Sequence, residues 1–92
     1  MSTIMLNDSS ANSTYAKRTA RLVGEEIRGA RRRLGLDQDD VALVAGVSRR
    51  TVYAIEHGKP TVRLDALLPV LRAVGLDFDV VRHVAQHDLP AR

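Results

Sequence analysis

Two adjacent arginines are the residues of this chain best suited to bind a ligand that offers paired hydrogen-bond acceptors. Arg49 and Arg50 directly follow Ser48, and serine is a preferred N-cap at the start of a helix. A guanidinium forms two parallel hydrogen bonds with a phosphate, or with the O6 and N7 atoms of guanine. The pair therefore indicates contact with nucleic acid, although taken alone it also fits a solvated helix face.

The distribution of charge agrees with a nucleic-acid partner. The chain has 92 residues and a formal net charge of +3. Between Lys17 and Arg63 there are eleven Lys and Arg residues against six Asp and Glu residues, a net charge of +5. A modestly basic centre with nearly neutral ends is typical of a nucleic-acid footprint and differs from a general polycation.

Several other classes of function are disfavoured by the residue types present. The chain has no cysteine, which excludes disulfides and thiolate metal sites. His83 and His87 have helical metal-pair spacing but lack a third ligand, so we predict no metal and no cofactor. Ser48 has no base and orienting group nearby, so we predict no catalytic residue and no enzyme activity. The absence of a signal-peptide pattern and of a long apolar segment predicts a cytoplasmic, nucleoid-associated protein without membrane contact.

The apolar spacing predicts four helices that would position the two arginines. They are expected at about 16–34, from the Asp37 cap to Gly46, from Ser48 to about His57, and from Leu64 to Val74. Pro69 lies within the fourth helix and should bend it without ending it. The tight turn at Gly46 joins the second and third helices as a helix-turn-helix, the geometry that presents the later helix to a major groove.

Residues 76–84 follow a different pattern from the helices. Every second residue from Leu76 to Val80 is apolar, and a period of two is typical of a strand. A single strand would leave its backbone groups unsatisfied, so we predict that it pairs with the same strand of a second copy. The residues expected at this dimer contact are Leu76, Phe78, Val80 and Val81.

The ends of the chain lack the periodic apolar pattern of the centre. Residues 1–14 are rich in Ser, Asn and Thr, and we predict a flexible N-terminal arm. Residues 15–75 are predicted to form the DNA-binding domain, residues 76–84 the dimerisation strand, and residues 85–92 a flexible tail.

Many residues of the centre match one known pattern in register. They are Gly35-Leu36-Asp37-Gln38, Val41-Ala42, Ala45-Gly46-Val47-Ser48, Thr51-Val52, Ile55-Glu56-His57-Gly58-Lys59 and Leu64-Asp65. In these residues the chain resembles the lambda-repressor-like, Xre-type helix-turn-helix family over about residues 20–76. It departs at Asp37, where the family usually has Thr, and at His57, where it usually has Asn or Arg. The resemblance implies an all-α, four- to five-helix lambda-repressor-like bundle, to which we add the C-terminal β-strand pairing across a dimer.

The resemblance also implies which residues contact double-stranded DNA, read as an inverted-repeat operator by a homodimer. The implied DNA-binding residues are Gln38, Ser48, Arg49, Arg50, Thr51, Tyr53, Ala54, His57 and Lys59. Arg49 and Arg50 are the candidates for base contacts, whereas Gln38 and Lys59 are expected at phosphates. Arg31 and Glu56 are implied to form a structural ion pair that fixes the reading helix.

A closer resemblance concerns the stretch from Lys59 to Val80, which is similar to HipB-type antitoxins. Those proteins dimerise, repress their own operon and bind HipA-like serine/threonine kinase toxins. The resemblance therefore implies an antitoxin with a HipA-like kinase partner. The alternatives are a stand-alone Xre-type repressor of phage or host genes, and an adaptor that binds only protein. Arg49 and Arg50 argue against the adaptor, which has no need of paired guanidiniums there.

Overall fold

The structure is a computed structural model that describes residues 2–82, with side chains described from residue 12 onward. This part of the chain contains four α-helices, as the apolar spacing predicted. They are α1 (Ser2–Arg33), α2 (Gln38–Ala45), α3 (Arg49–Glu56) and α4 (Leu64–Ala73). Between residues 2 and 82, no helix combines the length and apolarity needed to cross a bilayer.

Local polar contacts fix the ends of the two short helices. The Asp37 carboxylate accepts the backbone N–H of Asp40 at 2.8 Å, and the Asp37 N–H donates to the Asp40 carboxylate at 2.9 Å. Ser48 Oγ accepts the backbone N–H of Thr51 at 3.1 Å. Gly46 ends α2 with a φ of 73°, a left-handed conformation that suits glycine. The predicted caps at Asp37 and Ser48 and the turn at Gly46 are therefore confirmed.

One apolar core holds the four helices together. α2 packs against α3 and α4, while α3 also packs against α1. Each helix contributes one fully buried aliphatic side chain, and these are Ile27, Val41, Val52 and Val70. Because α3 contributes to the same core as its neighbours, burial of their apolar surface sets the angle at which it is held.

Two features of the helices bear on the predictions from spacing. α4 runs through Pro69, as predicted, although proline supplies no N–H to the carbonyl of Asp65. α1 begins at Ser2, and the predicted start near residue 16 is therefore wrong. Residues 12–19 are exposed, so this part of α1 has no buried face that an apolar pattern could reveal. The division into an arm and a domain stays a prediction.

The predicted strand is wrong for the part of it that the structure describes. Residues 76–82 form neither helix nor strand, while residues 83–84 and the predicted tail 85–92 lie outside the described residues. The backbone N–H groups of Phe78 and Val80 each donate to the preceding aspartate, Asp77 and Asp79, at 2.9 Å. In the single chain, the alternating aspartates thus form local hydrogen bonds with the backbone. We had expected these backbone groups to pair with a second strand.

Candidate nucleic-acid interface

α3 has two faces that differ sharply in their surroundings. Val52 and Ile55 point into the core and are buried. Arg49, Arg50 and Tyr53, which we call the outer face of α3, are exposed. The 3.6-residue period separates the two sets, so one helix both anchors itself and presents polar groups outward.

Two shallow grooves border the outer face and bring most of the predicted contact residues together. The groove beside α2 is lined by Gln38, Arg49, Arg50 and Tyr53. The groove beside α4 is lined by Arg50, Thr51, Ala54, Lys59, Thr61, Val62, Arg63 and Ala66. Arg50 lines both grooves and therefore lies on the ridge between them.

The two remaining predicted contact residues adjoin the same surface. Ser48 caps α3, and its hydroxyl also lies 2.9 Å from that of Thr51. The His57 ring stacks on the Tyr53 ring with centroids 3.8 Å apart, and His57 Nδ1 lies 2.9 Å from the Tyr53 carbonyl oxygen. A carbonyl oxygen only accepts, so a hydrogen bond at this contact needs an N–H group at Nδ1. All nine predicted contact residues thus share one surface, and their contact with DNA stays a prediction.

Arg31 and Glu56 form the contact that joins α1 to α3. Arg31 Nε lies 2.6 Å from Glu56 Oε2, and Arg31 Nη2 donates to Glu56 Oε1 at 3.0 Å. The Arg31 Nη1 group also donates to the Leu36 carbonyl at 2.9 Å. The Glu56 side chain is 0% exposed and that of Arg31 11% exposed. A bidentate pair at this depth ties the C-terminal end of α3 to the scaffold.

The environment of Glu56 favours its charged form. Burial by itself raises the pKa of the carboxyl, but hydrogen bonds from Arg31 and Gln38 and the charge of Arg31 outweigh it. The pKa of Glu56 therefore lies below its ordinary value. The hydrogen bond to Glu56 likewise raises the pKa of Arg31, so both partners are ionised at neutral pH.

Gln38 links α2 to the same anchor. Its Nε2 group donates to Glu56 Oε1 at 3.2 Å, which completes a contact between α1, α2 and α3. The side chain is half-buried, and it also lines the groove beside Arg49. Gln38 thus contacts α3, while its contact with a phosphate stays a prediction.

Two glycines, Gly24 and Gly58, allow α1 to approach the end of α3. The sequence analysis assigned no role to Gly24. A Cβ atom on Gly24 would collide with the backbone carbonyl of Ile55 and lie 2.7 Å from that of Glu56. Gly58 has a φ of 81°, and a Cβ there would lie 3.1 Å from Arg21 Cα. A glycine inside a helical pattern is a general sign of close packing, but Gly29 of α1 has no such contact, so the sequence did not distinguish Gly24 from it.

Arg63 and Thr61 were also missed, although they line the groove beside α4. The Arg63 guanidinium binds Asp65 through Nε at 3.0 Å and Nη2 at 2.7 Å. Both side chains are exposed, so water competes with this pair. No local sequence signal distinguishes Arg63 from the other arginines, because its position depends on how the turn after α3 folds back.

The residues predicted for dimerisation lie along one segment after α4. Leu76 is half-buried against the core, whereas Phe78, Val80 and Val81 are exposed. Phe78 and Leu76 line an apolar groove with Leu22 of α1. Contact of these residues with a second copy stays a prediction.

Among the described residues, no group of three or more His, Cys, Asp or Glu side chains is placed to hold a metal ion. His83 and His87 lie outside that part of the chain.

The chain is similar to known helix-turn-helix proteins over the region that forms this surface. Residues 22–84 match the family described as helix-turn-helix domain. The chain is also 37% identical over 59 residues to an uncharacterized HTH-type transcriptional regulator, y4mF, of Sinorhizobium fredii. That alignment covers 64% of this chain and 78% of the relative. The chain therefore belongs to the helix-turn-helix family of DNA-binding transcriptional regulators.

Proposed function

We propose that the protein is a sequence-specific repressor whose outer face of α3 enters the major groove of an inverted-repeat operator. The observation that supports this most is the exposure of Arg49 and Arg50 on a helix whose opposite side is held by a buried ion pair. An anchored helix can present a guanidinium to the O6 and N7 of guanine at little entropic cost.

The residues around the outer face suit contacts with the DNA backbone. Lys59 and Arg50 share the groove beside α4, and Gln38 shares the groove beside α2. Phosphate contacts on both sides of a reading helix fix its register on the duplex. Binding should therefore weaken steeply as salt rises, because neutralised phosphates release counterions.

The protein acts, in this proposal, as a homodimer. Phe78, Val80 and Val81 are 51%, 81% and 79% exposed in the single chain, and a second copy would cover them. Two copies related by a two-fold axis would place their α3 helices in successive major grooves. The half-sites would then lie about 34–36 Å apart, or a small multiple of that distance.

The biological role that we propose is that of an antitoxin which represses its own operon and binds a HipA-like serine/threonine kinase toxin. The resemblance of residues 59–80 to HipB-type antitoxins supports this role. Leu43 and Val44 of α2, exposed to 84% and 70%, offer an apolar surface for a protein partner. The stand-alone Xre-type repressor is the second candidate, and it would use the same outer face of α3 without a kinase partner.

Selection from a randomised duplex pool tests DNA reading. We expect the protein to enrich an inverted repeat, and Arg49→Ala or Arg50→Ala to weaken binding to it by about 1–3 kcal/mol if that residue reads a base. Arg49→Lys and Arg50→Lys are the matched controls, since lysine keeps the charge but loses the two-point contact. Loss of affinity without any change in base preference would reassign that arginine to a phosphate. Failure to enrich any sequence would contradict the proposal and favour the protein-binding adaptor.

Sedimentation of the full chain tests the dimer. Phe78→Ser combined with Val80→Ser should shift the mass towards the monomer, whereas Leu43→Ser should leave it unchanged. An unchanged dimer in the double variant would show that this segment is not the contact.

Expression beside the neighbouring reading frame tests the antitoxin role. A kinase-sized neighbour should arrest growth when expressed alone and should co-purify with this chain when both are present. Growth that is indifferent to the neighbour would favour the stand-alone repressor.

A further inference from the structure

We propose that Asp39 is a specificity-determining residue, which holds Arg49 back from unselective contacts with the DNA backbone. The inference deepens the proposed function and rests on it. Asp39 Oδ1 lies 3.7 Å from Arg49 Nε, and the two side chains are 72% and 68% exposed. A carboxylate therefore stands beside one of the two guanidiniums offered to DNA.

The Asp39 carboxylate is not needed to begin α2. The capping box at that end is formed by Asp37 and Asp40, whose side chains and backbone N–H groups bind each other. In the part of the chain that the structure describes, the Asp39 carboxylate has one polar partner, the Arg49 guanidinium. Its negative charge at the helix N-terminus is favourable, but such an exposed charge contributes little to stability.

Competition for Arg49 explains how a weak pair can affect selectivity. An exposed ion pair at this distance is easily broken, so DNA can displace Asp39. A guanine offers Arg49 two acceptors in a fixed geometry, whereas a phosphate at an unrelated site offers a contact that Asp39 can rival. The carboxylate also repels every nearby phosphate. Asp39 therefore lowers affinity for unrelated duplexes more than affinity for the operator, and specificity is that difference.

The groove beside α2 supports this reading of Asp39. Gln38, the preceding residue, lines the groove together with Arg49, Arg50 and Tyr53. Asp39 therefore brings a negative charge to the border of a surface that otherwise presents two arginines. A negative charge at that border weakens contacts with the DNA phosphates, which are the same at every sequence. Asp39 would therefore act on the choice between sequences.

Titration of Asp39→Asn in the full chain tests the inference. The probes are the duplex enriched by the wild-type protein and an unrelated duplex of equal length. We expect affinity for the unrelated duplex to rise about two- to fivefold, the size of one exposed charge contact. Affinity for the enriched duplex should rise less, so the ratio of the two affinities falls. The salt dependence on the unrelated duplex should steepen by about one phosphate contact.

Two further variants separate the local effect from a general change in charge. Asp39→Glu keeps the carboxylate and should keep the wild-type ratio. Glu25→Gln removes an equal charge from an exposed position of α1 outside both grooves, and should change both affinities by the same factor.

The outcomes distinguish this inference from the proposed function. If the wild-type chain enriches no sequence, the proposed function itself fails. If the wild-type chain is selective and Asp39→Asn keeps the ratio, only the role of Asp39 is overturned. A loss of affinity for the enriched duplex in Asp39→Asn would also overturn it, because Asp39 would then support binding to the operator.

Discussion

The two faces of the eight-residue helix α3 have different roles: the inner face anchors the helix, and the outer face presents polar groups. On the inner face, Val52, Ile55 and Glu56 are buried, and Glu56 receives hydrogen bonds from two other helices. On the outer face, the ionic contact of Arg49 is long and exposed. The inner face thus fixes the position of α3 against the other helices. The outer face leaves the side chain of Arg49 free to exchange its partner.

This contrast predicts how changes on each face should behave. A change on the inner face should lower stability and should weaken binding to all duplexes together. A change on the outer face should alter binding while the free energy of unfolding stays the same. The variants below test that separation in order of decreasing effect.

Loss of the buried carboxylate should have the largest effect. Glu56→Gln leaves the Arg31 guanidinium buried without its charged partner, and we expect a loss of about 3–5 kcal/mol in the free energy of unfolding. Urea denaturation followed by circular dichroism measures it. Glu25→Gln, an exposed position on α1, is the control and should change little. A loss below about 1 kcal/mol, the range of exposed ion pairs, would mean that the pair does not anchor α3.

The same pair should make stability depend on acidity. The pKa of Glu56 is lower in the folded protein than its ordinary value, so the carboxylate stabilises the fold fully above that ordinary value, about 4.5. This stabilisation should be lost as the pH falls through the lower, folded pKa. Urea midpoints between pH 7 and pH 3 should therefore fall more steeply for the wild-type chain than for Glu56→Gln. Parallel pH curves would contradict this origin of the acid sensitivity.

A methyl group at the contact between α1 and α3 should have the next largest effect on stability. Gly24→Ala places a Cβ against the backbone carbonyls of Ile55 and Glu56, and such overpacking costs about 1–3 kcal/mol. Gly29→Ala is a matched control, because the nearest atom there is an Arg33 side-chain nitrogen at 3.4 Å. That control should gain up to about 1 kcal/mol from helix propensity. Equal effects of the two changes on thermal stability would show that the close approach is not tight.

Removal of the cap should have a smaller effect on the start of α3. Ser48→Ala deprives the Thr51 N–H of its acceptor, and we expect a loss of about 1 kcal/mol. Ser48→Asn supplies another capping oxygen and should retain most of the stability. Thermal unfolding of both variants checks this, and similar losses in both would argue against a capping role.

The smallest effect that we expect is on DNA affinity, from the loss of one contact with a DNA phosphate. Lys59→Ala should weaken binding to the enriched and the unrelated duplex by a similar factor, and should reduce the salt slope by about one. Titrations at several salt concentrations measure both quantities. A change in base preference would instead assign Lys59 to a base.

Local chemistry is the part of this structure that the sequence could predict. Asp37 and Ser48 cap their helices, and Gly46 makes the turn, because such effects involve residues within four positions of one another. Contacts between distant residues could not be predicted in this way. Arg31 and Glu56 are 25 residues apart, and their pairing was expected only from the family resemblance.

The two wrong predictions, the start of α1 and the strand at residues 76–82, also concern features that local sequence does not determine. The start of α1 was placed too late because its exposed residues have no apolar face to mark it. Residues 76–82 follow a strand pattern, but a strand needs a partner, and in the single chain Asp77 and Asp79 bind the neighbouring N–H groups. The closeness of Asp39 to Arg49 also depends on the folded turn between α2 and α3.

Selection from a random duplex pool, run in parallel on the wild-type chain and on Arg49→Ala combined with Arg50→Ala, tests the central claim most directly. Both proteins should show the same thermal stability, since the two arginines lie on the outer face. We predict that the wild-type chain enriches an inverted repeat and that the folded double variant enriches none. Enrichment of the same repeat by both proteins would contradict the assignment of DNA reading to the outer face of α3.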